Sequence, residues 1–274
     1  MGEMINIGSS SSGNCFVVSE GQSIVVFDLG FKYDEFQKRY KKQTGKHLSG
    51  LGIDLCFVTH RHKDHSRGLD SFLDACADVV APKGLCKKWG TREAIPGHSQ
   101  NNGAFMFVPF ELEHKDLAKN MSDGESKKYW EDTVKIETYG YLVAFAETGN
   151  IWIYITDTAY LPTADQIKNN SEYKGLFIPS FFGVTHAIIE CNHDLELVDN
   201  DAPELHIRRA LESHLSVQDL VNILKNTDTK ALRKLYLMHN SESNLNKMKA
   251  LKMVREVFKG EIMFCRKEGG FDAF

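Results

Sequence analysis

The segment Thr59-His60-Arg61-His62-Lys63-Asp64-His65 constrains this chain more than any other stretch of it. It follows directly on the apolar run Leu55-Cys56-Phe57-Val58, which reads as part of a short strand over Asp54–Thr59. In extended backbone alternate side chains point the same way, so His60 and His62 face one side. Asp64 and His65 come where the loop turns into the next helix, read over Ser66–Ala75, and can face the same cavity from another direction. Three imidazoles and a carboxylate within six residues are nitrogen and oxygen ligands suited to Zn²⁺ or a similar ion. A solvated charged turn explains single histidines well, but not this spacing at the end of a buried strand. The fold must therefore open a polar cavity at a strand end.

The rest of the 274-residue chain reads as strands followed by helices, twice over. Strands are expected over Met4–Ile7, Cys15–Val18 and Ser23–Phe27, then a helix over Tyr33–Gln43 with Phe36 and Tyr40 four apart. After the histidine segment, Phe105–Leu112 is a strand and Lys115–Lys135 a polar surface loop. Thr138–Phe145 and Ile151–Thr156 form a hairpin through Thr148-Gly149-Asn150. Ala187–Glu190 is a strand. Pro203–His214 and Val217–Leu224 are helices, Leu232–Met238 a strand, Asn244–Phe258 a helix and Glu261–Phe264 a last strand. This order implies two packed sheets with helices outside, in one domain.

Composition excludes little. A formal charge of −4 argues mildly against wide, nonspecific contact with a polyanion and says nothing of a deep site charged by metal ions. The six cysteines are scattered with no C-x-x-C pair, which fits reduced thiols. Neither a signal peptide nor an apolar run of spanning length is visible, so a soluble, cytoplasmic protein is expected.

The histidine segment matches the H-x-H-x-D-H signature of the metallo-β-lactamase superfamily, which this chain resembles. Three further residues follow in the expected order, each expected at the end of a strand: His114 after Phe110–Glu113, Asp157 after Ile153–Thr156, and His239 after Leu235–Met238. The resemblance implies an α/β, four-layer αββα fold and two divalent metal ions per chain, Zn²⁺ or Mn²⁺. It assigns His60, His62 and His114 to the first ion, and Asp64, His65 and His239 to the second, with Asp157 bridging. His98 competes with His114 for the third histidine position, although no strand precedes it.

Other segments resemble the YycJ/WalJ-type group of DNA exonucleases: Gly8–Asn14, Glu190-Cys191-Asn192-His193-Asp194, Ser213-His214-Leu215-Ser216 and His239-Asn240-Ser241. Cys191 and Ser213 depart from that group's usual Ser and Gly. The resemblance implies a nucleic-acid substrate, DNA before RNA; from the residues, no membrane and no obligate protein partner is expected. It implies catalytic roles for Asp64, Glu190 and His214, the last two assisting the leaving group as in nucleases of ribonuclease Z type. Ser11, Ser12, Asn14 and His193 would contact substrate. The alternative is a thioester or lactone hydrolase of the same fold. Only 81 residues separate Asp157 from His239, too few for the domain that β-CASP nucleases insert there. The basic clusters Lys38-Arg39, Lys41-Lys42, Lys87-Lys88 and Arg208-Arg209 read as solvated faces, and Trp89 and Trp130 as packing residues.

Overall fold

In the computed structural model, residues 2–117, 133–161, 181–198 and 211–274 are described. Trp130, Arg208, Arg209 and residues 203–210 of the expected helix Pro203–His214 lie outside them.

The N-terminal strands are apolar on both faces, and they are buried on both faces. The first sheet runs in chain order: β1 (Glu3–Ser10), β2 (Gly13–Glu20), β3 (Ser23–Phe27), β4 (Leu55–Phe57), β5 (Val79–Ala81) and β6 (Arg92–Glu93). The first three strands pair antiparallel and β3 to β6 pair parallel. The second sheet contains β7 (Gln100–Asn101), β8 (Phe105–Glu111), β11 (Tyr139–Phe145), β12 (Ile151–Ile155), β13 (His186–Glu190), β14 (Lys234–Met238) and β15 (Glu261–Phe264). Its order is β15-β14-β13-β12-β11-β8-β7, parallel from β12 to β15.

Alternation along each strand sorts side chains into three apolar layers. Phe16, Phe27, Phe57, Phe107, Tyr141, Tyr154 and Tyr236 meet between the sheets. The opposite face of the first sheet, with Val17, Val26 and Cys56, packs on α1 (Tyr33–Thr44) and α3 (Leu69–Asp74) through Phe36, Tyr40 and Phe72. The opposite face of the second sheet, with Ile153, Ile189 and Leu237, packs on α5 (Val217–Asn226) and α6 (Lys247–Val257) through Leu220, Ile223, Leu251 and Val254. These are the four layers expected, helix on sheet on sheet on helix. All six cysteines are free, and among the described residues no helix is long and apolar enough to cross a membrane.

Three local expectations change. The helix expected over Ser66–Ala75 is two helices, α2 (Lys63–Ser66) and α3, separated at Gly68. Gly68 N–H donates to the Leu29 carbonyl at 2.7 Å, and a Cβ there would lie 1.9 Å from the Phe31 carbonyl oxygen, so the chain must bend where it passes β3's end. The ends of the expected loop Lys115–Lys135 pair with each other instead, as β9 (His114–Leu117) and β10 (Thr133–Ile136). His114 accordingly opens β9 rather than closing the preceding strand. The segment after α3 also holds β5 and α4 (Lys83–Trp89), whose short apolar stretch gave no periodic signal.

Candidate metal centre

Because β3 and β4 run parallel, as do β12, β13 and β14, their C-terminal ends emerge together at one edge of each sheet. Each end delivers a polar residue: Asp28 after β3, His60 just beyond β4, Asp157 after β12, Glu190 closing β13 and His239 after β14. Asp28, Asp157 and His239 all take left-handed backbone, with φ of 59°, 47° and 55°. Besides Cys76 they are the only non-glycine residues to do so among those described. Such conformations are costly and persist where surrounding structure holds them, which is common at functional sites.

The side chains converge in three overlapping groups, each with ligand atoms within 4.8 Å of one another: His60, His62, His114 and Asp157; Asp64, His65 and His239; and Asp157, Glu190, His214 and His239. Asp157 Oδ2 lies 3.3 Å from His60 Nε2 and 3.4 Å from His65 Nε2, so it stands between the first two groups. His114 Nε2 is 3.3 Å from His62 Nδ1. His98 is exposed, its Nδ1 near the Pro96 carbonyl, and belongs to none of them. The structure thus gathers His114 rather than His98.

Hydrogen bonds set the ring tautomers. Thr59 Oγ1 donates to Asp28 Oδ1 at 2.9 Å, so at 3.0 Å it accepts from His60 Nδ1, leaving His60 Nε2 as a bare lone pair. His65 Nδ1 donates to Asp28 Oδ2 at 2.6 Å, and His239 Nδ1 to Glu190 Oε1 at 2.8 Å. Each bond turns the ring's Nε2 into the cavity, the arrangement in which carboxylates orient metal-ligating histidines. Burial pushes the pKa of His60 down, and pushes that of His114 down to about 3. Burial works the same way on His65 and His239, but there carboxylates win. Asp157, Asp28 and Asp64 lift His65 well above its ordinary value, and Asp157 and Glu190 lift His239 to about 9. Asp157, although buried, is held well below the usual carboxylate range by His65 and His239.

This arrangement fits divalent cations. His60 Nε2 and His114 Nδ1 are buried with no hydrogen-bond partner among the described residues, a costly state for polar atoms unless something else meets them. The donors are all imidazole nitrogen and carboxylate oxygen, and the raised His65 and His239 show that the buried carboxylates attract positive charge.

Glu190 stands where expected in the chain but does not reach solvent. It is fully buried, and its Oε1 accepts from both His214 Nδ1 at 2.7 Å and His239 Nδ1. Its Oε2 accepts backbone N–H groups of Thr158 and Leu215 at 3.3 Å. Burial would raise its pKa, but His214 and His239 hold it down at about 2. The structure brings the expected pair together, and Glu190 meets the groove only through His214, whose side chain is 19% exposed. Asp64 is 20% exposed and does face the cavity.

The expected substrate contacts divide. Ser11 lines a groove that starts at His214 and His239, and exposed Ser12 offers its carbonyl to Arg67. Asn14 and His193 are buried: Asn14 Nδ2 sits 3.1 Å from His65 Nε2, and His193 is 1% exposed. Neither position suits contact with an incoming substrate, because the sequence motif gives order along the chain and not depth below the surface. Asp28 escaped the sequence reading. Its one signal is that it ends an apolar strand, as Asp157 does.

The family model for the Beta-lactamase superfamily domain matches residues 25–239, from β3 to the last of these ligands. The chain belongs to this family. Solved structures of the same fold include zinc-bound PqqB from Methylobacterium extorquens, at 13% identity and TM-score 0.65 over 100% of both chains. The metallo-beta-lactamase fold protein YhfI from Bacillus subtilis shares 13% identity and TM-score 0.62, over 98% of this chain and 99% of its own. The short form of human tRNase Z shares 14% identity and TM-score 0.57, over 100% and 99%. At these identities the likeness is one of fold. Curated proteins compared with the chain by sequence produced no match.

Proposed function

We propose that this metallo-β-lactamase-fold hydrolase is a phosphodiesterase acting on nucleic acid, with DNA as the substrate. His60, His62 and His114 would hold one divalent ion, Asp64, His65 and His239 a second, and Asp157 would lie between them. Zn²⁺ or Mn²⁺ suits these donors. When bound, such ions lower the pKa of a water toward neutrality and offset charge gathering on a phosphoryl group. The observation that carries the reading is His214. It is anchored by buried Glu190 beside the ligand cluster, and its side chain, 19% exposed against 7% for His239, is the most open of that cluster's third group.

In phosphodiester hydrolysis the departing alkoxide needs a proton. Glu190 fixes His214 with Nδ1 as donor, so that the ring, when it carries a second proton on Nε2, delivers that proton to the alkoxide and is left neutral. Asp64, open to the cavity, orients the attacking water on the far side. A thioester expels a thiolate, which leaves without acid help, so an anchored imidazole has less to do there. The YycJ/WalJ-like segments support DNA over RNA. End-labelled single- and double-stranded DNA and RNA, assayed with Mn²⁺ and Zn²⁺ separately and beside a thioester and a lactone, test the reading. Cleavage of DNA is expected. Turnover of the thioester or lactone with every nucleic acid left intact overturns it.

A further inference from the structure

The groove beside His214 and His239 has a volume of about 1090 Å³, beyond the ~300–1,000 Å³ of most small-molecule sites. Serines and asparagines, among them Ser10, Ser11, Asn240 and Ser241, line it close to the metal centre. Its walls also carry five cations, Arg39, Lys42, Lys247, Arg266 and Lys267, against the two carboxylates of Glu242 and Glu268. This local excess stands out in a chain of formal charge −4. Arg39, Lys247 and Lys267 are engaged by Glu35, Asp272 and Glu242 at 2.8, 2.7 and 3.5 Å. Lys42 and Arg266 are exposed and have no carboxylate partner among the described residues.

These two cations are placed by a built device. Arg266 begins a tight turn that ends at Gly270, with Gly269 and Gly270 at φ of 92° and 72°. Buried Asn6 on β1 clamps the turn: its Nδ2 donates to the carbonyls of Arg266 at 2.9 Å and Gly270 at 2.7 Å. A Cβ on Gly269 would lie 2.8 Å from the Asn6 carbonyl oxygen, so only glycine passes there. Gln43, next to Lys42 on α1, donates to that same oxygen at 2.6 Å. Asn6 therefore ties the turn and the end of α1 together, bringing Arg266 and Lys42 to one rim.

Among the described residues no Phe, Tyr or Trp lines the groove. Without a stacking surface it has little to offer bases, whereas hydroxyls, amides and cations match phosphate and sugar. We propose that this groove binds the sugar–phosphate backbone of the substrate strand beside the scissile bond, through Lys42, Arg266 and the serine edge, independently of base sequence. The proposal rests on the phosphodiesterase reading above and deepens it.

The test uses metal-loaded protein, fluorescein-labelled phosphorothioate strands of oligo(dT) and of mixed sequence, and the small diester bis(p-nitrophenyl) phosphate. Lys42→Ala/Arg266→Ala, both at exposed positions, should keep the wild-type thermal midpoint and turn the small diester over at the wild-type rate. Its affinity should fall about tenfold for both strands alike, and the log–log salt dependence should flatten by about 1.4, at roughly 0.7 per lost phosphate contact. Unchanged affinity and salt slope, with wild-type cleavage of ordinary DNA intact, would overturn the groove assignment and leave the phosphodiesterase standing. A loss confined to one sequence would overturn sequence independence. A loss produced by Lys88→Ala/Trp89→Ala instead would put the strand in a second cavity, lined by Arg61, Lys63, Lys88 and Trp89 among others, and overturn the assignment as well. If wild type turns over neither DNA nor the small diester, the phosphodiesterase reading falls and takes the groove with it.

Discussion

Two buried carboxylates, Asp28 and Glu190, do the same thing at opposite sides of the centre with different consequences. Each is fully inaccessible, each accepts from a histidine Nδ1, and each thereby points a histidine Nε2 at the cavity. Asp28 is sealed by its remaining partners, Thr59 and the Tyr154 hydroxyl, the latter at 2.6 Å. Glu190 divides one oxygen between His239 and His214, and His214 lies on the groove wall. The Asp28 side can only shape a metal site. The Glu190 side can shape a metal site and, on the reading proposed above, also hold a proton donor for substrate, because His214 is the more exposed of its two imidazoles.

The largest effect is expected where the two sides meet. Asp64 Oδ2 lies 3.4 Å from His65 Nε2, held by Asp28, and 4.0 Å from His239 Nε2, held by Glu190. Asp64→Ala should bring turnover to background while the unfolding transition stays cooperative, since no core strand depends on that side chain. Near-wild-type rates at saturating metal would remove Asp64 from the mechanism.

Next comes His214→Ala, which isolates the function found only on the Glu190 side. It should slow DNA cleavage by roughly 10²–10⁴-fold, the usual worth of a positioned acid, with metal content unchanged. The loss should shrink on bis(p-nitrophenyl) phosphate, whose nitrophenolate leaves without a proton. Loss of metal instead would mean that Asp157, Glu190, His214 and His239 act as a ligand set, and the contrast between the two carboxylates would dissolve.

A smaller effect should follow Asp28→Asn. Removing the charge behind His65 should weaken metal affinity about 10–100-fold, read by competition with a chelator. The ratio of rates on DNA and on the activated diester should not move. A shift in that ratio would show that Asp28 also reaches the leaving group.

The smallest effect concerns pH in chelated, metal-free protein. His239 rises from an ordinary 6.5 to about 9 because Asp157 and Glu190 overcome its burial. A group raised on folding stabilises fully below its unfolded pKa and loses that contribution as pH climbs through its folded one. The thermal midpoint of metal-free protein should therefore fall by a few degrees between pH about 6.5 and about 9. Glu190→Gln should reduce that fall. A midpoint flat across this window would mean that the carboxylates do not hold His239 protonated.

Much of the centre was legible because His60, His62, Asp64 and His65 are contiguous, and a contiguous set needs only local backbone geometry to converge. His114, Asp157 and His239 are single letters, each recognisable only through their order behind the first motif and the strand pattern before each. Asp28 has no motif around it, and its role exists only because β3 lies beside β4, which puts its carboxylate under Thr59 and His65. Lys42 read as part of a solvated basic face. Its place on the groove comes from Asn6 and Gln43, partners distant in sequence that bind α1 and the 266–270 turn to one strand.

By itself, then, the sequence determined the layered α/β fold, through the alternation and burial of its apolar runs, and the metal-ligand chemistry of one loop. Tertiary structure alone decided which carboxylate orients which imidazole, that Glu190 is buried behind His214, that Asn14 and His193 are buried, and that Lys42 and Arg266 both line the groove. The physical reason is range: period and spacing act over a few residues, whereas depth, hydrogen-bond partnership and summed charge depend on strands brought together from opposite ends of the chain.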